Sequence, residues 1–133
     1  MKHSKTAAIF ALVTLLNPGW AMADDIGQAE YMNSCATCHG ASAGGDGPLA
    51  ELMTVPVPGL TGLSAANDGE FPMLAVIHAI DGRQGTRGHG YPMPVWGARF
   101  KTETGVDDDM SNEMLVRARV LSLALYLESI QQE

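Results

Sequence analysis

Five residues constrain this chain more than any others: Cys35-Ala36-Thr37-Cys38-His39. They contain both of its cysteines, and an imidazole follows the second thiol directly. Three chemistries use such a pattern. A redox dithiol shares the spacing, but its usual fold alternates strands with helices, and no such alternation runs along 24–133. A structural disulfide would close a loop too small to stabilise much. Zinc would need Cys35, Cys38 and two of His39, His78 and His89. Adjacent Cys38 and His39 do not easily fill two corners of one tetrahedron, and a second closely spaced ligand pair is missing. The third chemistry is covalent haem, for which Cys-x-x-Cys-His is the c-type attachment signature. Residues i, i+3 and i+4 share a face near a helix end. Cys35 and Cys38 can thus reach two neighbouring vinyl groups as thioethers, and His39 can ligate iron from the same side.

That reading calls for a second axial ligand. Residues 90–97 read GYPMPVWG, with Met93 fenced by Pro92 and Pro94. Both prolines fix φ and remove amide donors, so the segment is expected to be extended and stiff. Such a mount suits a thioether aimed at a metal. On its own, Met93 reads first as a gap-filling core side chain; the upstream attachment motif turns the reading toward a ligand. Met53 and Met73 lack the rigid fence, His78 lies in a helical pattern, and His89 is a competitor if the segment rearranged. His39 and Met93 together close the coordination of iron, and methionine raises the potential relative to imidazole or thiolate partners.

The first 23 residues read as a cleaved signal peptide. Lys2 and Lys5 precede an apolar run at 6–16 that is too short to span a bilayer, and Ala21-Met22-Ala23 offers small residues for cleavage. The expected mature domain is 24–133, in the periplasm, with no membrane span. Cleavage removes two lysines and no acid, leaving six cations against fifteen acids and a net charge of −9. That balance argues against a nucleic-acid partner.

Several features beyond the motif and Met93 carry a family resemblance. Gly27, Tyr31 and Cys35 are spaced by four, Leu123 and Tyr126 lie near the C-terminus, and Gly45-Asp46-Gly47-Pro48 follows His39. With these the chain resembles class I c-type cytochromes over most of 24–133. The resemblance implies an all-α cytochrome c fold, with a few helices and long loops wrapped around one covalently bound haem c and its iron. It implies that Gly27 lets the first and last helices cross closely. It also implies that the carbonyl of Pro48 accepts from the other ring nitrogen of His39.

Along the mature chain, the first helix is expected to start at a cap on Asp24 or Asp25 and to end near 37. Turns follow at 40–48, and a long loop at 49–67 is expected to lay Val55, Val57, Leu60 and Leu63 on the haem rim. A helix is expected at about 69–81, capped by Asp68 and ended by Gly82. A short turn of helix is expected at 96–100. The last helix is expected from about Ser111 to Ile130, with one apolar stripe on Val116, Val120, Leu123 and Leu127. A second stripe on Met114, Ala118, Leu121 and Leu125 faces the other way, to be covered by the 49–67 loop or by a partner.

Arg83, Arg87, Arg99 and Lys101 occupy a stretch without an acid. Arg83, Arg87, Tyr91 and Trp96 are candidates for haem packing or propionate contacts, and the four cations read as a docking ring for redox donor and acceptor proteins. The function these features imply is single-electron transfer and not enzyme catalysis. Two alternatives are a haem subunit of a periplasmic dehydrogenase or oxidase, and a ligand-binding or peroxidase-like haem protein with a displaceable Met93.

Overall fold

A computed structural model of the protein describes residues 19–83 and 93–132. Arg87, Tyr91 and His89 lie outside the described residues, as does most of the expected signal peptide. The described chain is helical, with no strand among its residues. Its helices are α1 (Gly19–Ser34), α2 (Ala36–His39), α3 (Met73–Asp81), α4 (Trp96–Glu103) and α5 (Asp109–Ser129). Short 3₁₀ turns at Ala50–Leu52 and Ala65–Asn67 punctuate the long loop between α2 and α3.

The frame of the molecule is the crossing of α1 and α5. Gly27 sits where any Cβ would run into the Ser122 carbonyl and the Tyr126 Cβ, so only glycine allows this approach. One turn on, Tyr31 is fully buried, and its ring meets Tyr126 at 5.3 Å between centroids. Tyr31 donates from its hydroxyl to the Gly40 carbonyl at 2.6 Å. Burying an aromatic or leucine side chain contributes about 1.5–3 kcal/mol. The fully buried Tyr31, Phe100, Leu123 and Val116 therefore form the energetic centre, drawn from α1, α4 and α5.

Arg119 on α5 joins the same three helices. It forks onto Glu30 of α1 at 2.9 and 2.7 Å, reaches Glu103 of α4 at 3.1 Å and lies over the Phe100 ring at 3.8 Å. A two-pronged guanidinium–carboxylate pair fixes orientation as well as distance.

Helix ends follow local chemistry with two corrections to the sequence reading. Helix α5 is capped by Asp108, whose carboxylate accepts from the Ser111 amide at 2.7 Å. Helix α3 ends at Gly82, φ 66°, as expected. In the full chain Asp24 and Asp25 do not cap α1, which there already starts at Gly19, because Trp20 to Ala23 can continue the helix before the expected cleavage. Nor does Asp68 cap α3. It closes the preceding 3₁₀ turn at φ 55°, and α3 begins at Met73 because Pro72 disfavours helical backbone at the residue before it.

The long loop is pinned at its far end by the C-terminal tail. Gln131 donates to the carbonyls of Leu60 and Leu127 and accepts from the Ser64 amide. The Gln132 amide donates to the Thr61 carbonyl at 2.8 Å. The loop thus lies against the end of α5 and does not cover its second stripe: Met114 and Leu121 stay exposed at 66% and 44%.

Candidate haem site

The attachment motif sits at the break between α1 and α2. Cys35 departs from ideal helix geometry (φ −116°, ψ −36°), and the four residues after it form one more turn. The amides of Cys38 and His39 both donate to the Cys35 carbonyl, at 3.1 and 2.9 Å. This turn brings both thiols and the imidazole into one short span of chain. The cysteines are free thiols, Cys35 buried and Cys38 partly so. Burial, with smaller contributions from Glu30 and Cys38, pushes the Cys35 thiol up to about 12.

The segment after His39 folds back over α2 through its own backbone. Gly40, at φ 83°, leaves the helix and donates to the Ala36 carbonyl at 2.9 Å. Gly45, at φ 86°, donates to the His39 carbonyl at 2.7 Å, and Gly47 to that of Cys38 at 3.1 Å. A Cβ on Gly45 would meet the backbone of 57–59, and one on Gly47 would meet the Thr37 and Cys38 carbonyls. These glycines thus form a thin layer between α2 and the chain at 57–59. The Leu60 amide completes the layer by donating to the Ala43 carbonyl at 2.7 Å.

The outcome is a contact that the sequence reading assigned to the wrong proline. Buried His39 places Nδ1 3.0 Å from the carbonyl oxygen of Pro58. Pro48 is exposed, and its turn serves as the layer over which Pro58 arrives. The signal for Pro58 lay in Val55-Pro56-Val57-Pro58-Gly59, an extended run whose glycine permits close approach to the Gly44 carbonyl. An Nδ1–H donated to a carbonyl leaves the Nε2 lone pair for a metal.

On the other side, Met93 is partly buried against the core that also holds Cys35, Val76, Ile80, Trp96 and Phe100. Trp96 is buried, with its ring 5.5 Å from Phe100 and the Arg99 guanidinium 5.0 Å above it. Leu60 is buried and Leu63 packs on the core, while Val55 is exposed, so only part of the expected rim faces inward. A separate cleft lined by Gly45 to Pro48, Ala50, Glu51, Pro56 and Val57 touches none of Cys35, Cys38, His39 or Met93.

The cation cluster is not a free ring. Arg83 spends Nε on Asp81 at 2.7 Å and its two terminal nitrogens on Glu113 at 2.7 and 3.0 Å. Arg99 pairs with Glu103 at 2.8 Å, and Lys101 with Asp109 at 2.7 Å. The stretch 83–101 has no acid of its own; Asp81 and Glu103 flank it, Asp109 lies a little beyond, and folding brings in Glu113 from thirty positions away. Arg83, one of the arginines the sequence offered for a propionate, thus has all three of its nitrogens engaged by Asp81 and Glu113. Glu113 is held down to about 2, first by Arg83 and then by Arg117.

The donor set fits covalent haem. Two free thiols and an imidazole with Nδ1 engaged lie on one short span, and a thioether packs on the same apolar core. A scan of protein families matches the cytochrome c family over residues 25–112. The chain belongs to the cytochrome c family, whose members carry covalent haem c with its iron and work by haem-based electron transfer. Comparison with curated proteins and with solved structures gave no match. The family match stops at Asn112, yet the helix crossing extends well past it, to Leu123 and Tyr126. No helix among the described residues is long and apolar enough to cross a membrane.

Proposed function

We propose that the mature chain is a periplasmic single-electron carrier. In this reading Cys35 and Cys38 hold the haem by thioethers, and His39 and Met93 are its axial ligands. The contact that carries the reading is His39 Nδ1 to the Pro58 carbonyl. A hydrogen bond at that nitrogen sets the ring orientation and tautomer and makes Nε2 a better ligand. The haem supplies the reversible one-electron change, and the chain supplies a rigid setting that limits reorganisation. Backbone bonds around α2 hold the imidazole, the apolar core shields the thioether, and Trp96 packs beside it.

Optical spectra of oxidised and reduced protein test this directly. Low-spin spectra with the weak long-wavelength ferric band of thioether ligation are expected, and the reduced protein should resist carbon monoxide. Rapid carbon monoxide binding would instead favour a ligand-binding or peroxidase-like role with a displaceable Met93.

A second reading has one observation in its favour. Met114, Leu121 and Ala118 are exposed along α5, a surface suited to a haem subunit of a periplasmic dehydrogenase or oxidase. Gel filtration of native extract separates the two roles: a free carrier elutes as a small protein, a subunit with its enzyme.

A further inference from the structure

The chain leaves α3 at residues 81–83 and enters α4 at 95–97, and these two points lie side by side. Gly82 turns at φ 66°, and a Cβ there would press on Val95. A Cβ on Gly97 would overlap the Asp81 carboxylate and crowd Arg83 Nε. The Asp81–Arg83 pair therefore rests directly on the first turn of α4. Asp81 is buried, so its charge requires a partner. Arg83 provides it and, with its other two nitrogens, grips Glu113 on α5. Arg117 holds Glu113 from the opposite side at 2.9 Å. Three helices thus meet at one guanidinium, and Met93 stands four residues before Gly97, with Pro94 stiffening the connection.

We propose that Arg83 is the positioning residue for the Met93 thioether: by clasping Asp81 and Glu113 against Gly97, it fixes the backbone from which Met93 projects. The inference rests on Met93 being an axial ligand. Arg83 itself does not touch the site; it acts through residues 95–97. Without it, Asp81 is left as a buried, unpaired carboxylate, Glu113 keeps only Arg117, and the entrance to α4 loses its tie to α5. The consequence falls on ligand retention. The thioether should yield its position more readily to an added ligand, with no change in oxidation state.

The test uses haem-loaded ferric protein titrated with imidazole, following loss of the thioether band, with thermal unfolding recorded in parallel. Arg83→Met should raise the apparent imidazole affinity about tenfold, the scale of one charge-assisted hydrogen bond. Glu113→Gln, a partly exposed site that should fold normally, should raise it in the same direction, and Arg83→Lys should restore part of the loss. Lys101→Met breaks an exposed pair on α4 and should leave the affinity unchanged. A folded Arg83→Met or Glu113→Gln protein with wild-type imidazole affinity would overturn the inference. So would an equal rise in Lys101→Met, which would make the effect one of general loosening. If wild type lacks the band and Met93→Ala binds imidazole just as wild type does, the failure lies in the ligand assignment itself.

Discussion

The settings of the two proposed iron ligands are built from different materials. On the His39 side, position is set by backbone: amides of Gly45, Gly47 and Leu60 donating to carbonyls of His39, Cys38 and Ala43, and a proline carbonyl receiving Nδ1. On the Met93 side, position is set by side chains: the Asp81–Arg83–Glu113 clasp and the packing of Trp96 on Phe100. Backbone bonds are indifferent to most substitutions but intolerant of a new Cβ. Ion pairs respond to charge and pH. One ligand is therefore expected to be firmly kept and the other to be adjustable.

The harshest way to break this contrast is through glycine. Gly45→Ala places a side chain at φ 86° and into the backbone of 57–59. Left-handed strain costs about 1–2 kcal/mol, and overpacking adds about 1–3 kcal/mol. Guanidinium unfolding of the haem-loaded protein should show a loss of about 3 kcal/mol. A change below about 1 kcal/mol would mean that the layer beneath His39 is softer than described.

Tyr31→Phe is gentler. It keeps the ring packing on Tyr126 and removes the buried hydrogen bond to the Gly40 carbonyl. The expected loss is about 1–2 kcal/mol in the same assay. The ferric thioether band should persist, since the bond removed ties α1 to Gly40 and leaves the 81–97 junction untouched.

Acid should act on the Met93 side. Glu113 has its carboxyl lowered to about 2 in the folded state, by Arg83 first and Arg117 second. A lowered folded value gives stability that is present above the ordinary carboxylate range near 4.5 and is lost as pH falls through about 2. Unfolding midpoints measured from pH 5 down to 2 should thus fall less steeply in Glu113→Gln than in wild type. Parallel curves would remove Glu113 from the acid response. The smallest effect is expected for Arg99→Met. Its pair with Glu103 is exposed, with side chains 58% and 39% accessible, and its loss should cost less than about 1 kcal/mol.

The same contrast explains what was legible in the sequence. The Cys35-to-His39 motif was readable because it sets residue types at a fixed spacing, and the Gly27, Tyr31 and Tyr126 crossing because the family resemblance implied it. The start of α5 moved only from about Ser111 to Asp109, with Asp108 as its cap, since capping chemistry is local. Pro48 was mistaken for Pro58 because both are prolines in loops after His39. The choice between them depends on how Gly45 and Gly47 stack on α2, a matter of tertiary contact. Arg83 and its neighbours read as a free basic cluster because Glu113, thirty positions away, is invisible to local charge counting. The exposed Met114 and Leu121 were correctly read as a second apolar stripe, but the loop expected to cover them is tied instead to Gln131.

The central claim is that Cys35 and Cys38 bond one haem while His39 and Met93 bind its iron. Mass spectrometry of the mature chain from its native host tests the attachment most directly. The account predicts that a proteolytic peptide spanning Cys35 to His39 carries a single haem and has no alkylatable thiol. The same peptide found at its unmodified mass, with both cysteines free to alkylate, would contradict it.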